Sequence, residues 1–472
     1  MRTSSTIIWL FATVGCAAPG PSAPLAEKVV ACAADGTCPP GTHCVAAICE
    51  AGAPADAAAD GADAAAGDTG TADAGGEPDA PAGADGKNLC LPDLSGGPSP
   101  RGESSGGFAG GVLMAISGDA GVAVQCNPSP KPVADSWTFT PCSGWAAIAA
   151  TSAPTPRARA ASTNDDGGSV YLFGGRFRTG TSGPYTLYAD TWRWNADSGW
   201  QQVDDGSAGP KARSSAVLGV DPSSGVLWLH GGNASTSGAT FTPLGDTWFL
   251  DPAAGAWQSF KTTGKAPGAR IMHSGAVTRD GNYLVIHGGG DANAFVGPFF
   301  GDTWRLDLHT GAWSQIGATG DAPAARILGA MVASGGPRTL LFGGHDDGAV
   351  GNRNDIWELD AEIGTWTLLR AGDTGVGDDP NLTWKKPNGV CDFPGDFMKL
   401  DLESPERRES VLFSWDTSGK RAWLFGGKSD CGTLRDVWSF DPATAKWTNH
   451  DDTPKGWSCL RYVSPCSHLC GG

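Results

Sequence analysis

The chain has 472 residues with 70 glycines, only 18% charged residues and a formal net charge of −17. At roughly 150 residues per domain this length suggests about three domains, although one large all-β domain fits equally well. The acidic balance excludes a nucleic-acid partner, which needs a basic stripe along the phosphates. Abundant glycine and low charge disfavour long helices and coiled coils.

The first sixteen residues are typical of a signal peptide. Arg2 supplies positive charge, residues 7–12 are apolar, and small residues precede Cys16. The stretch is too short to span a membrane. It resembles a bacterial lipobox, in which the cysteine is lipidated, although Thr13 stands where Leu, Val or Ile is usual. We expect a signal peptide over 1–16 and a lipid anchor on Cys16 as the only membrane attachment, which places the protein at the bacterial outer membrane or cell surface. Periplasmic or secreted protein is the alternative.

A small cysteine-rich segment follows over residues 27–50. Setting Cys16 aside leaves twelve cysteines, an even number that suits an oxidising compartment. Such a short segment cannot bury a core, so two disulfides are needed to hold it. A zinc site that includes His43 is the alternative. It is disfavoured because the gaps between these cysteines are wider than those of most zinc ligand pairs. The disulfide candidates here are Cys32, Cys38, Cys44 and Cys49.

Residues 51–88 form a linker of Ala, Gly, Asp and Pro. Residues 51–86 contain eight acids and no Lys or Arg. Such a segment cannot offset its ordering entropy by apolar burial. We expect a disordered tether that extends by self-repulsion and holds the following domain away from a surface.

The remainder of the chain is a repeat with three signatures in one register. An apolar run ending in Gly-Gly is followed by Asp-x-Trp and then by a second Trp after a turn. A Pro-x-x-Arg precedes each run. The Gly-Gly motifs end at Gly175, Gly232, Gly289, Gly344 and Gly427. The Asp-x-Trp motifs start at Asp190, Asp246, Asp302, Asp355 and Asp436. The second tryptophans are Trp200, Trp257, Trp313, Trp366 and Trp447.

A sixth, degenerate copy lies upstream. Arg101 starts it, and Asp135-Ser136-Trp137 and Trp145 supply the later landmarks. The segments LMAIS and GVAVQ look like strands, with no Gly-Gly after the second. An insertion over about 371–403 separates the last two copies. The six copies cover residues 99–150, 151–204, 205–262, 263–318, 319–370 and 404–450.

These signatures resemble the kelch repeat of β-propellers, including the central domain of the galactose oxidase type. The resemblance implies an all-β, six-bladed propeller over residues 89–472, with four antiparallel strands, a to d, in each blade. The repeat tryptophans should wedge between blades. Radial closure leaves only short strand edges exposed, which suits a monomer.

The topology selects one face for binding. In a blade of four antiparallel strands, the b–c loops and the d–a connections emerge on the same side. Those loops are long and varied here, whereas the a–b and c–d turns are short. Function on rigid scaffolds resides in such loops, so we expect the ligand on this loop-rich face, over the central channel.

The resemblance implies that the Pro-x-x-Arg arginines lie where strand a begins. One interpretation is a ring of guanidinium groups at the channel mouth that favours a carboxylate or sulfate ligand. The other is that each arginine pairs with a blade Asp or a carbonyl and locks neighbouring segments. His273 is a further channel candidate. The arginines are Arg101, Arg159, Arg213, Arg270, Arg326 and Arg408.

Loop aromatics are candidates for peptide or carbohydrate contact, because exposed aromatic side chains on one rim mark interaction sites. They are Tyr185, Tyr188, Phe241, Phe295, Phe299, Phe300 and Trp384. A disulfide between Cys391 and Cys431 would pin the insertion to this face. Cysteines near blade 1 and near the C-terminus would staple the chain ends, with a pairing that the sequence leaves open.

No catalytic motif emerges from the repeat. The copper site of the galactose oxidase type needs two Tyr and two His, and His230 and His287 occupy packed positions before Gly-Gly instead. Sialidase-type aspartate boxes are absent as well. The sequence predicts a non-catalytic, exported module without cofactor or metal that binds an extracellular or envelope protein or glycan. The alternative is an extracellular carbohydrate-active or isomerase-type propeller enzyme that uses loop Asp residues and channel Arg or His residues.

Overall fold

The computed structural model divides the chain into two compact units, Met1–Gly83 and Ala84–Gly472. In the first unit it describes one hairpin, formed by Thr42–Val45 and Ile48–Ala51, in which Cys44 lies opposite Cys49 in the backbone register. In all, it describes residues 42–45, 48–51, 96–121, 123–124, 127–128, 131–149, 153–180, 182–238, 240–293, 296–317, 320–346, 351–375, 398–399, 401–429 and 432–450.

The second unit contains six four-stranded antiparallel blades, as the resemblance predicted, each built from one continuous segment with its strands in the order a-b-c-d. Blade 1 consists of strands Ser105–Ala109, Val112–Asp119, Pro132–Thr140 and Gly144–Ala147. Blade 2 consists of Ala161–Asn164, Ser169–Phe173, Thr191–Asn195 and Gly199–Asp204. Blade 3 consists of Val217–Val220, Leu227–Asn233, Pro243–Asp251 and Ala256–Ser259. Blade 4 consists of strands Ser274–Val277, Tyr283–His287, Thr303–Asp307 and Trp313–Ile316. Blade 5 consists of Ala330–Gly335, Arg338–Asp346, Asn352–Asp360 and Thr365–Arg370. Blade 6 consists of Leu412–Asp416, Arg421–Ser429, Gly432–Asp441 and Lys446–Asn449.

Short extra pairs decorate these blades. Arg326–Ile327 adds to strand b of blade 5. The others lie in the loops of the loop-rich face: Ala123–Val124 with Asn127–Pro128, Arg176–Phe177 with Thr186–Leu187, and Thr374–Gly375 with Met398–Lys399.

The hydrophobic core lies between blades, because strand b is buried on both of its faces. In blade 2, Val170 and Leu172 pack in a cluster with residues of blade 1. The alternate residues Tyr171 and Phe173 pack in a cluster with residues of blade 3. The period of two in a strand therefore sends successive side chains to opposite neighbours.

The repeat tryptophans fill these inter-blade layers, as the sequence predicted: eight of the twelve are buried and four are half-buried. The second Trp of each blade packs on the residue that precedes Gly-Gly in the blade before it, or on its equivalent. The ring pairs are Phe173–Trp257, His230–Trp313, His287–Trp366, Phe342–Trp447 and Phe425–Trp145, with centroids 4.8–5.4 Å apart.

One buried arginine locks each blade. Its guanidinium donates two hydrogen bonds of 2.5–3.0 Å to the Asp of Asp-x-Trp, and that Asp also accepts from the indole of its own Trp at 2.6–2.8 Å. The arginine also donates to the carbonyl of the first Gly of Gly-Gly, or of its equivalent. The six pairs are Arg101–Asp135, Arg157–Asp190, Arg213–Asp246, Arg270–Asp302, Arg326–Asp355 and Arg408–Asp436.

The second Gly of each motif connects this lock to the next blade. The Gly289 amide, for example, donates to the Arg326 carbonyl at 2.8 Å. The adjacent Gly288 lies at φ 70°, and a Cβ there would stand 2.5 Å from the same carbonyl oxygen. Only glycine combines that left-handed backbone with such a close approach. The equivalent bond occurs at all six blade junctions.

The ring closes without strand exchange between its termini, because every blade takes its four strands from one segment. Blades 6 and 1 meet through the same contacts as other neighbours. The Gly427 amide donates to the Arg101 carbonyl at 2.9 Å, and the Phe108 amide donates to the Ser414 hydroxyl at 2.7 Å. Cys142, in the c–d turn of blade 1, is disulfide-bonded.

The structure corrects the register of the first copy. LMAIS lies in strand b of blade 1, so the equivalent of Gly-Gly is Ser117-Gly118, both with positive φ. Most of GVAVQ belongs instead to the b–c loop. The sequence predicted a blade strand at GVAVQ, but Ala123–Val124 pairs with Asn127–Pro128 in a small hairpin within this loop.

We expect Arg326→Met to lower the free energy of unfolding by about 3–5 kcal/mol, because it leaves the buried Asp355 carboxylate without its partner. Arg338→Met in the same blade is the matched control. Arg338 is 60% exposed and lies 3.9 Å from Glu358, so its loss should change stability by about 0.5 kcal/mol or less. Urea denaturation of the two variants measures the difference. Similar losses in both would contradict the locking role.

Two core histidines should make the protein acid-sensitive. Burial, aided by the charges of nearby arginines, lowers the pKa of His230 to about 3 and that of His287 to about 3. Between pH 6.5 and 3 the unfolded chain binds more protons, so stability falls with falling pH by about 1.4 kcal/mol per unit for each ring. Above pH 6.5 this contribution is fully present.

The double variant His230→Phe/His287→Phe should lose this part of the acid sensitivity. Phe173 already fills the same slot in blade 2, where Trp257 donates to Thr191. Unfolding midpoints at pH 7 and pH 5 report the effect. An unchanged fall between the two pH values in the double variant would refute the assignment.

Candidate ligand-binding site

The arginines of the locks are not available to a ligand. Five residues predicted as ligand candidates, together with Arg157, are 0–1% exposed and engaged with their aspartates. The structure thus favours the locking interpretation for these five: Arg101, Arg213, Arg270, Arg326 and Arg408.

Arg159 is the exception among the predicted arginines. In blade 2 the lock is made by Arg157, which pairs with Asp190 at 2.6 Å. The sequence Pro154-Thr155-Pro156-Arg157-Ala158-Arg159 matches Pro-x-x-Arg twice, and the second match was the wrong one for the repeat register. The constant spacing of 56 residues from Arg101 to Arg157 and from Arg157 to Arg213 would have identified the right one.

Arg159 belongs to a second ring, formed by the residues two positions after each lock arginine. All six have positive φ of 53–58° although none is glycine. Backbone amides of this ring donate to the carbonyl of the equivalent residue in the preceding blade, as from Arg159 to Glu103 at 3.1 Å and from Ser410 to Leu328 at 3.0 Å. The amides that form this bond are those of Glu103, Arg159, Ser215, Leu328 and Ser410. We call these residues the mouth ring: Glu103, Arg159, Ser215, Met272, Leu328 and Ser410.

The mouth ring lines a cavity at the start of the central channel. Strand a runs from this end, where the d–a connections arrive, so the cavity opens on the loop-rich face. A left-handed conformation at a non-glycine residue costs about 1–3 kcal/mol. Six such residues persist because the inter-blade hydrogen bonds hold each of them.

One side of the mouth ring is charged. The buried Glu103 carboxylate accepts from Arg159 at 2.9 Å, from Arg176 at 3.3 Å and from Lys428 at 2.8 Å. Lys428 also bridges to Asp119 at 3.0 Å. Burial alone would raise the pKa of Glu103, but the three cations outweigh it and hold that pKa well below its usual range. We call these five residues the mouth cluster; it joins blades 6, 1 and 2.

The other side of the mouth ring is apolar. Met272 and Leu328 are 3% and 9% exposed and share a cluster with Ile271, Ile327 and Phe299. The cavity is therefore bordered by the paired charges of Glu103 and Arg159 on blades 1 and 2 and by an apolar wall of Met272 and Leu328 on blades 4 and 5.

His273 lies one layer deeper and borders the same cavity. It is 6% exposed, and neither ring nitrogen makes a hydrogen bond of acceptable geometry. Burial lowers the pKa of His273 well below its usual range, and the nearby His230 and Arg270 side chains lower it further. The backbone of His230 acts in the opposite direction but offsets only part of this decrease in pKa. The imidazole is therefore neutral at pH 7.

The aromatic loop residues of blade 2 are held by guanidinium groups. Tyr185 is 8% exposed, with Arg176 and Arg178 at 4.4 and 4.3 Å from its ring centroid. Tyr188 is half-buried under Arg157 at 4.2 Å. These rings rigidify the loop by cation–π contact and offer little surface to a ligand.

The described aromatics of blades 3 and 4 are also enclosed. Phe299 is 8% exposed, Phe300 is half-buried beneath Arg270 at 4.8 Å, and Phe241 is half-buried. In contrast to these rings, the side chain of Val296 in the b–c loop of blade 4 is 82% exposed. Phe295 and Trp384 lie outside the described residues, as do Cys16, Cys32, Cys38, Cys391 and Cys431. Only the backbone is described for Cys44 and Cys49.

Sequence reasoning missed Glu103, Asp119 and Lys428, the charged members of the mouth cluster besides its two arginines. Asp119 and Lys428, like Arg176, directly follow Gly-Gly or its equivalent Ser117-Gly118. This position varies between copies, and the incorrect register of the first copy concealed the match at Asp119. The part of the chain with assigned coordinates contains no helix long and apolar enough to cross a membrane. Within the same residues, no group of three or more His, Cys, Asp or Glu is arranged to hold a metal ion.

The fold and this site define a six-bladed propeller with a cavity on its loop-rich face. Residues 125–344 and 257–377 match the family described as the KLHDC2/KLHL20/DRC7 Kelch-repeats domain. Together the matches span 125–377, more than half of the 472 residues. The chain therefore belongs to the kelch-repeat family.

Several curated proteins share this repeat. The chain is 25% identical over 298 residues to Kelch domain-containing protein 10 of Xenopus tropicalis, covering 60% of this chain and 62% of that protein. It is 35% identical over 134 residues to Acyl-CoA-binding domain-containing protein 4 of Arabidopsis thaliana, covering 27% and 19%. It is 28% identical over 230 residues to Host cell factor of Drosophila melanogaster, covering 43% and 14%. The chain thus spans 14–62% of the lengths of these relatives.

Lys428→Met should open the junction between blades 6 and 1. It leaves Asp119 without a cation and removes one of three from Glu103, so we expect a loss of about 3 kcal/mol in the free energy of unfolding. Lys446→Met changes an exposed lysine of the same blade and should be near neutral. Denaturation curves of both variants measure the difference in the free energy of unfolding. An equally small loss in the two variants would contradict the role of Lys428 in holding blades 6 and 1 together.

Proposed function

We propose that the chain is an exported, lipid-anchored kelch propeller that binds a protein through its loop-rich face and catalyses no reaction. The observation that carries this proposal is the mouth of the channel, where a compensated charge cluster faces an apolar wall. Apolar surface bordered by charged and polar groups is the composition of protein interfaces.

A protein ligand fits the described surface better than a glycan does. Sugar recognition commonly uses an exposed aromatic face, and the loop rings of blade 2 are occupied by guanidinium groups. The same face exposes Val296 and 40% of Leu402. Exposed aliphatic side chains of this kind contribute to the core of a protein interface.

Export is the second part of the proposal. It is supported by the residues before Cys16, by the even number of remaining cysteines and by the disulfide of Cys142, since disulfides persist in oxidising compartments. The acidic linker would then hold the propeller away from the bacterial outer membrane as a monomer.

Site-specific photo-crosslinking tests the binding face. A photoreactive amino acid at Val296, in a b–c loop, should capture a discrete partner. The same residue at Ile363, 73% exposed in the c–d turn of blade 5, is the matched control on the opposite face. Crosslinks of equal yield at both positions, or at Ile363 alone, would contradict the proposal. So would binding on a glycan array without any protein partner, or turnover of a captured substrate.

Labelling with palmitate in a Gram-negative host tests the anchor. The wild-type chain should incorporate label and fractionate with membranes, whereas Cys16→Ser should do neither. A wild-type chain that stays unlabelled in the cytosol would rule the anchor out, and this result leaves the binding-face test unaffected.

A further inference from the structure

The channel beneath the mouth ring is large enough for a small ligand. Two adjacent cavities of about 130 and 180 Å³ share six lining residues. Each of these shared residues follows a mouth-ring residue by one position and immediately precedes strand a of its blade. Five are small or aliphatic and one is an imidazole: Ser104, Ala160, Ala216, His273, Gly329 and Val411.

His273 is a buried hydrogen-bonding group whose two ring nitrogens are not satisfied by the described residues. Neither Nδ1 nor Nε2 makes a well-aligned hydrogen bond there, and the residue is 6% exposed. Gly231 leaves room for the ring: a Cβ there would stand 2.7 Å from its Cε1. An orphaned buried donor or acceptor costs about 1–3 kcal/mol, and such groups in native proteins are satisfied by a ligand or by ordered water.

A second orphan borders the same cavity. The Ser410 hydroxyl, on the mouth ring, is buried and has no hydrogen-bond partner. The cations nearby are already engaged, because Arg159, Arg176 and Lys428 all contact Glu103 and Lys428 also contacts Asp119. The two orphaned groups on which a ligand would act, the His273 imidazole and the Ser410 hydroxyl, are neutral.

We propose that this cavity binds a small neutral ligand whose hydroxyl or carboxamide bonds His273 and Ser410 and whose apolar part packs on Met272 and Leu328. Either a free small molecule or a side chain of the bound protein can supply that chemistry. The second source rests on the proposed function, whereas the first does not.

The ligand chemistry is tested with two fragments of equal size on the full-length protein labelled with ¹⁵N at histidine. Butyramide carries the neutral group and butyrate the charged one. Butyramide should shift the His273 ring resonances saturably, with butyrate at least tenfold weaker, because the site offers no free cation and a carboxylate loses its hydration there. Absence of saturable shifts, or equal affinity for the two fragments, overturns the proposal and leaves an ordered water as the occupant.

Two variants show that binding depends on these residues. His273→Phe should abolish the butyramide response measured by calorimetry, whereas His309→Phe, which changes an exposed histidine of a c–d turn, should leave it intact. If His273→Phe unfolds, Ser410→Ala serves instead and should weaken binding about fivefold, equivalent to one neutral hydrogen bond of about 1 kcal/mol. Unchanged binding in both site variants refutes the assignment.

The crosslink at Val296 distinguishes the two sources. If a partner side chain fills the cavity, His273→Phe lowers the crosslink yield and butyramide competes with the partner. If a free small molecule fills it, butyramide binds while the crosslink is unaffected. If butyramide binds but no partner is crosslinked at Val296, the assignment of this cavity as a ligand site stands and only the protein-binding proposal is contradicted.

Discussion

The structure depends on one ion pair that is repeated six times and whose arginine is always buried. In each blade that arginine, at most 1% exposed, holds the aspartate of Asp-x-Trp and the carbonyl of the first Gly of Gly-Gly or its equivalent. Burying a charge is costly unless it is paired and its hydrogen bonds are satisfied. Here the guanidinium is bidentate, and the aspartate is also bonded to an indole. The pair thereby fixes where the chain turns from one blade into the next.

That constraint determines where a ligand can bind. The lock occupies the guanidinium groups that would otherwise favour an anionic ligand, and the Gly-Gly step brings adjacent backbones into hydrogen-bonding contact. Two residues later the chain is forced into a left-handed turn, which presents Glu, Arg, Met and Leu side chains in four blades and Ser in the other two. The repeat therefore conserves the frame between blades while leaving the mouth ring free to vary, from Glu103 through Ser215 to Leu328.

The repeat made the frame predictable, and its irregularities hid the site. Five copies of Gly-Gly, Asp-x-Trp and a second Trp determined the blade count, the inter-blade tryptophans and the loop-rich face. His230 and His287 were recognised as packed positions because Phe fills the same slot elsewhere. The mouth cluster could not be predicted, since Asp119 and Lys428 meet only when blades 1 and 6 close the ring. Arg159 was selected through the wrong Pro-x-x-Arg match of blade 2, yet it lies at the mouth, where one of the two interpretations placed it.

The central claim is that inter-blade hydrogen bonds of the mouth ring, enforced by the locks, hold the propeller closed. Native-state hydrogen exchange of the full-length protein tests this most directly, at the amides of Glu103, Arg159, Ser215, Leu328 and Ser410. The account predicts that these amides exchange only with global unfolding, as slowly as that of Leu284 in the core of blade 4. Fast exchange at the ring amides while Leu284 stays protected would show that blades separate locally, and would contradict it.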